Sequence, residues 1–222
     1  MNEVKIGNQI WSTENLNLDK FRNGDVIPEA KSVDEWASFG VKGKPAWCYY
    51  QFSASNGINF GKLYNWYAIN DYRKLAPTNW HIPDFNEWQE LKWFCETKHQ
   101  IINLKSSDFW EVGAGGNDLN FTALPSGIFR DFRNTTSEIL QGQSPGTFKF
   151  KDIFQGAYWW SSSCNMTIPS QEKDDQENWT HFGAGAVYDS ASAFYFDTDD
   201  INYLFPGQFS KMCGLSVRLC KD

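Results

Sequence analysis

The strongest hydrophobic pattern in the chain is helical. From Pro83 the sequence runs Pro-Asp-Phe-Asn-Glu-Trp, and Phe85, Trp88, Leu91 and Cys95 recur at steps of three and four residues, which puts their side chains on one helix face. Asp84 can accept from the first free backbone amides, and Glu87 stands at the third helical position. Together these features predict a helix over 85–98. Ser32 followed three residues later by Glu35 repeats the capping signal ahead of a short apolar segment that stops at Gly40, and predicts a helix over 33–39. Between the two, Leu63, Tyr64, Tyr67 and Ala68 also fall on one helical face, which predicts a helix over 61–70.

The remaining chain is punctuated at short intervals by glycine and proline, with aromatic or β-branched runs between them. That pattern predicts strands at 46–51, 121–124, 157–162, 178–182, 193–197 and 214–220, and an α+β domain with small twisted antiparallel sheets and long ordered loops. No internal repeat and no linker divides residues 1–222, so one domain is expected. The polar stretch 169–177, with Glu172, Asp174, Asp175 and Glu177, reads as a solvated loop.

Composition sharpens this picture. With 11 Trp, 9 Tyr and 18 Phe among 222 residues, the chain carries rings that must find a core, which excludes disorder and coiled coil. No apolar run approaches the ~20 residues of a membrane helix. The 27 acidic against 20 basic residues leave a net charge of −7 and no basic cluster, so nucleic acid is not an expected partner. The opening MNEVKIGNQIW has neither a basic nor an apolar leader segment, so no export signal is read in it. Five cysteines (Cys48, Cys95, Cys164, Cys213 and Cys220) form no CxxC and no zinc-spaced cluster. In one extended strand Cys213 and Cys220 would stand roughly 20 Å apart, so free thiols, buried or half-buried, are expected.

Little in the chain points to catalysis. There is no G-x-S-x-G elbow, P-loop or G-x-G-x-x-G. His81, between Trp80 and Ile82 at a helix entrance, reads more simply as a packed hydrogen-bonding corner than as a general base, and His99 as a charge at a helix end. Trp159 and Trp160, followed by three serines, suit a sugar-stacking platform or, with more weight, a core strand. Arg218 invites a salt bridge or a buried network across the closing strand. No cofactor is expected. Calcium would require carboxylates such as Asp197, Asp199 and Asp200 to be gathered by the fold, since no 12-residue loop of alternating ligands is present. Glycosidase chemistry asks only for two carboxylates roughly 5–10 Å apart, a condition that 27 acids leave open.

Several segments, taken in order, carry a resemblance. They are Ile6-Gly7-Asn8-Gln9-Ile10-Trp11 with Glu14-Asn15-Leu16; Ala46-Trp47-Cys48-Tyr49-Tyr50; Gly61-Lys62-Leu63-Tyr64-Asn65-Trp66; and Leu75 through Pro83 into Glu87-Trp88. Ala123-Leu124-Pro125-Ser126-Gly127, Tyr158-Trp159-Trp160-Ser161-Ser162-Ser163 and Gly214-Leu215-Ser216-Val217-Arg218-Leu219-Cys220 complete the series. This order resembles the Fibrobacter succinogenes major paralogous domain, a bacterial family whose fold is similar to C-type lectins and formylglycine-generating enzymes. Two departures stand out. The family closes on Val-Arg-Cys, whereas here Leu219 intervenes and strand alternation puts the Cys220 sulfur on the opposite face. The segment 164–190 also reads as an insertion. Formylglycine-generating activity is not expected, because those relatives use a closely spaced cysteine pair near the C-terminus.

What the resemblance implies is a C-type-lectin-like fold and non-catalytic recognition of a glycan or protein, secreted or at the cell surface, through the C-terminal half. A carbohydrate-active enzyme and a structural adhesin or envelope domain are the alternatives. Within that half, alternation in 193–197 turns Phe194 and Phe196 to one side and Tyr195 and Asp197 to the other, so the latter pair is expected at the surface, either as a ligand face or as a surface strand with no role. The candidate ligand residues are Trp179, His181, Tyr195, Asp197, Asp200 and Tyr203.

Overall fold

The computed structural model describes residues 1–131, 148–164, 190–198 and 200–222. In chain order the elements are β1 (Glu3–Ile6), β2 (Gln9–Ser12), α1 (Val33–Val41), β3 (Trp47–Cys48), α2 (Ala54–Phe60), β4 (Leu63–Tyr64), α3 (Trp66–Ile69), β5 (Trp80–His81) and α4 (Phe85–Thr97). They continue with β6 (Ser126–Asp131), β7 (Phe148–Ile153), β8 (Ala157–Cys164), β9 (Ser190–Phe196), β10 (Phe205–Ser210) and β11 (Cys220–Lys221). The protein is α+β. Its sheets run β1-β2-β11-β5, β10-β9-β8-β6-β7 and β3-β4. Pairings between these strands are antiparallel except β6 with β8, which meet in parallel at Gly127 and Ala157, so the expectation of antiparallel sheets is corrected at that seam. No helix of the described residues is long and apolar enough to cross a membrane.

Both capped helices form where the pattern placed them. Asp84 accepts from the Glu87 amide at 2.9 Å and Glu87 Oε2 accepts from the Asp84 amide at 2.8 Å, a reciprocal box that fixes the start of α4. A third bond reaches that end from β8, where the Ser163 hydroxyl accepts from the Phe85 amide. Phe85, Trp88, Leu91 and Cys95 are all buried on the face of α4 that meets the large sheet. There Trp88 stacks on Phe194 (centroids 5.5 Å apart) and on Trp159 (5.8 Å). Trp159 and Trp160 are fully buried, and their indole N–H groups donate to Asn15 Oδ1 and the Tyr64 carbonyl. They are core residues.

The other segments depart from their periodicity for local reasons. In 61–70 the chain turns at Gly61, whose φ of +75 suits glycine, and Leu63–Tyr64 go into β4 against Trp47–Cys48. Asn65 then caps the Ala68 amide, so only Trp66–Ile69 are helical. The strand expected over 46–51 shrinks to Trp47–Cys48 because Gln51 and Phe52 both adopt positive φ. At 121–124 a single bridge from Lys105 to Ala123 replaces a strand, Thr122 being at φ 56, and the true strand starts at Ser126. Segment 214–220 is buried and extended, but it changes partner at nearly every residue: Gly214 bridges Phe129, Leu215 bridges Tyr64 and Ser216 bridges Trp159 before β11 begins. The strand at 157–162 lies within β8, and that at 193–197 falls in β9 except for its last residue, Asp197, which begins the loop after it. The strand expected at 178–182, the polar loop 169–177 and most of the 164–190 insertion lie outside the described residues.

The closing segment is held by one buried arginine. Arg218 has no exposed surface, and its guanidinium donates to Asn15 Oδ1 (3.0 Å) and to the carbonyls of Ser12 (2.9 Å), Phe121 (2.9 Å) and Thr122 (2.6 Å). Burial pulls its pKa down to about 9, with Glu14 opposing, so it stays charged at neutral pH. Asn15 extends the network by donating to the Phe60 carbonyl and the Ser216 hydroxyl, which pairs with Ser126 at 2.9 Å. Of the two roles the sequence left to Arg218, the structure selects the carbonyl network.

Candidate functional site

The C-terminal face singled out in the sequence is only partly assembled. Trp179, His181 and Asp199 lie outside the described residues. Alternation in β9 holds, since Phe194 and Phe196 join the α4 cluster while Tyr195 points the other way. The second face is covered as well, and the expected exposure of Tyr195 is corrected. That residue is 8% exposed, its ring stacked 5.3 Å from that of Tyr158 and 5.3 Å from that of Phe205, its cross-strand neighbours on β8 and β10, in a core cluster shared with Leu215, Val217 and Leu219 of the closing segment. Asp197 is half-buried, Asp200 is exposed and Tyr203 is half-buried, all on the loop joining β9 to β10. Both carboxylates are turned onto their own loop: Asp197 accepts from the Thr198 amide and hydroxyl, and Asp200 from the Asn202 amide. Tyr203 lies against Phe205 and under the Lys92 ammonium, 4.3 Å from the ring centre.

Beneath this loop is a feature that sequence patterning did not single out. Lys105 is fully buried, and its ammonium sits 4.2 Å from the Trp110 ring centre and 4.9 Å from that of Phe196, with no hydrogen-bond partner among the described residues. Burial pulls its pKa down to about 8 against the fields of Asp200 and Asp197. A base whose folded pKa lies below its unfolded value of roughly 10.4 leaves the fold carrying an unpaired charge at neutral pH. That cost is relieved as pH rises from about 8 through the unfolded value. Lys105→Met should therefore stabilise the protein at pH 7 by about 1–3 kcal/mol in chemical unfolding. It should also flatten the rise in stability that the wild type shows above pH 8.

A second place of interest is an open cleft of about 330 Å³ beside α3, lined by Gly43, Trp66, Tyr67, Asn70, Asp71 and Tyr72. Its shape comes from a tight turn. Asp71 Oδ1 accepts from the Arg73 amide (2.9 Å), and the Arg73 guanidinium grips both Asp71 oxygens at 2.8 Å while reaching Asp25 at 3.2 Å. Those hydrogen bonds from Arg73 hold the Asp71 carboxyl below its ordinary range, burial opposing. The turn throws Tyr72 outward, 85% exposed, with Arg73 flanking its ring at 5.7 Å. The usable signal was the polar run Asn70-Asp71-Tyr72-Arg73, in which an Asx turn leaves an aromatic side chain no apolar neighbour to pack on.

His81 forms the third site, more highly charged than the packed corner expected of it. Its Nε2 lies 2.7 Å from Glu87 Oε1 and its Nδ1 2.7 Å from Asp222 Oδ1, so the ring donates to a carboxylate at each end. Burial alone would lower the His81 pKa, but these two partners outweigh it and hold the pKa above the ordinary histidine value. Cys220, directly opposite His81 in the β5–β11 register, brings its sulfur to the same corner. Its thiol is pushed up to about 12 by burial, then by Glu87. Among the described residues, His81, Glu87 and Cys220 are the group of three whose ligand atoms lie within 4.8 Å of one another. Cys48, Cys95, Cys164 and Cys220 are free thiols, and Cys213 and Cys220 belong to different core clusters.

Comparison with curated proteins and with solved structures finds no match. The model of the Fibrobacter succinogenes major domain matches residues 4–221. That span takes in every motif packed around Arg218, Asn15 and Trp159, and the chain belongs to the Fibrobacter succinogenes major domain family.

Proposed function

We propose that this chain is a non-catalytic recognition domain, acting outside the cell or at its surface, that binds glycans through the cleft beside α3. The observation that carries the reading is Tyr72, a large ring held 85% exposed over a cleft that also offers Asn70 and a carboxylate locked by Arg73. An exposed ring presents an apolar face to a pyranose, and an amide side chain beside a carboxylate fixed by Arg73 suits its hydroxyl rim. The locked turn lowers the ordering cost of binding. We also infer a C-type-lectin-like arrangement, supported by α1 and α4 as the principal helices, by the sheets they flank, and by long irregular but hydrogen-bonded connections. Two thiols assigned to separate core clusters, with Cys220 held protonated by burial, fit poorly with cysteine-pair oxidation chemistry.

Glycan-array screening of the whole chain, followed by titration of the best binder, tests the reading. Tyr72→Ala should weaken binding about tenfold or more while Tyr72→Phe retains it, because the ring face and not the hydroxyl makes the contact. Binding that survives Tyr72→Ala but is lost in Tyr203→Ala would move the site to the β9–β10 loop, where Asp197, Asp200 and Tyr203 offer acceptors and a ring. Hydrolysis of a polysaccharide panel would favour an enzyme, and self-assembly without glycan binding a structural adhesin.

A further inference from the structure

We propose that His81, Glu87 and Cys220 form a binding site for a zinc-class divalent cation, with Asp222 as the outer partner that orients the histidine. Nitrogen, oxygen and sulfur donors lie within 4.8 Å of one another at a corner where β5, β11 and the first turn of α4 converge. That mixture of one imidazole, one carboxylate and one thiolate suits a borderline-soft cation such as Zn²⁺ better than calcium or magnesium, which take oxygen alone.

Each donor is positioned by something other than the cluster itself. Glu87 Oε2 is committed to the Asp84 amide by the capping box, which leaves Oε1 turned toward the histidine. His81 and Cys220 are register partners on neighbouring strands, so their side chains leave the same face of the sheet. Asp222 holds Nδ1 at 2.7 Å and so presents Nε2 inward, the carboxylate–histidine arrangement that fixes ring orientation in metal sites. Cys220 is 3% exposed and forms the floor, whereas the His81 side chain is 37% exposed and leaves an entrance from solvent.

Binding is an exchange of protons for metal. The cation takes the place of the proton between His81 Nε2 and Glu87 Oε1, and the Cys220 thiol gives up its own, so two protons pass to solvent for each cation bound. Zinc–ligand bonds of about 2.0–2.3 Å in tetrahedral geometry set donors roughly 3.3–3.8 Å apart, so His81 Nε2 and Glu87 Oε1, now 2.7 Å apart, part slightly to admit the ion while the Cys220 sulfur, within 4.8 Å of both, completes the set. Three protein donors leave the fourth position for water on the exposed side. The bound ion would tie β11 to β5 and α4 and so add to the stability of the fold.

The test uses the full chain after treatment with chelator, titrated with Co²⁺ and then Zn²⁺. One equivalent of Co²⁺ should produce a thiolate-to-metal charge-transfer band in the near ultraviolet together with tetrahedral visible bands, and Zn²⁺ should erase both and raise the melting temperature. Cys220→Ser should abolish the charge-transfer band, and His81→Gln should weaken binding about 100-fold or more. Asp222→Asn should weaken it about 10–100-fold with the band retained, as an outer partner would. The exposed Cys164 is the control, and Cys164→Ser should change nothing. A folded wild type without a charge-transfer band at millimolar Co²⁺, or a band that persists in Cys220→Ser, overturns the proposal. Should Cys220→Ser fail to fold, a band of undiminished affinity in His81→Gln overturns it equally.

Discussion

Replacing Arg218 with alanine should destabilise the protein by about 3–5 kcal/mol or prevent it from folding, read as a fall in the urea midpoint with unchanged slope. The size follows from what the guanidinium leaves behind. Three main-chain carbonyls, of Ser12, Phe121 and Thr122, and the Asn15 side chain would lose donors inside a core from which water is excluded. Each unpaired buried acceptor costs about 1–3 kcal/mol, only partly recovered by removing the expense of burying the charge. The ring of Phe121, which lies 4.7 Å under the guanidinium, would also border a cavity. Arg218→Lys keeps the charge but replaces a planar fork with a single ammonium that cannot meet four acceptors on separate strands and loops, so it should recover less than half of the loss. A lysine variant as stable as the wild type would show that charge alone, and not the fork, holds the closing segment.

The same arginine shows why some of the fold was legible in the sequence and some was not. Helices α1 and α4 could be read because their information is local: a capping residue, an acid three positions later and apolar side chains at helical steps are all present within a few turns. Segment 214–220 carries an apolar pattern too, but its partners are β6, β4 and β8 in turn, and which strand receives each amide is settled by chain far away in sequence. Alternation cannot report that change of partner. The short β4–α3 unit was misread for a related reason, since Leu63, Tyr64, Tyr67 and Ala68 satisfy a helical period although the Asn65 cap divides them between two elements. The site suffered most. Lys105 is polar in a segment with no motif, and its burial depends on Trp110 and Phe196 closing over it. His81 meets its two carboxylates through long-range geometry, Glu87 being turned by the capping box of α4 and Asp222 following directly on β11.

Tyr195 is where period-two reasoning was right about direction and wrong about exposure, and it gives the second large effect. Tyr195→Ala should cost about 3–5 kcal/mol, in the range of other buried aromatic truncations, measured by chemical unfolding. Its ring is sandwiched between Tyr158 and Phe205 and meets Phe209 edge-on at 5.7 Å, so truncation empties the middle of a three-ring stack. Neighbouring rings cannot collapse into that space without shifting β10, whose register pairs Phe205 directly with Tyr195. Tyr203→Ala should cost about 1 kcal/mol or less, because that ring rests half-buried on the outside of Phe205 and loses mainly a cation–π contact with Lys92. The contrast matters for any binding study of this face. A loss of ligand in Tyr195→Ala would report a damaged fold, whereas a loss in Tyr203→Ala, with unfolding unchanged, would report a contact. Equal and small costs for the two variants would mean that β10 can lift from β9 and open the face that the stacked tyrosine now fills.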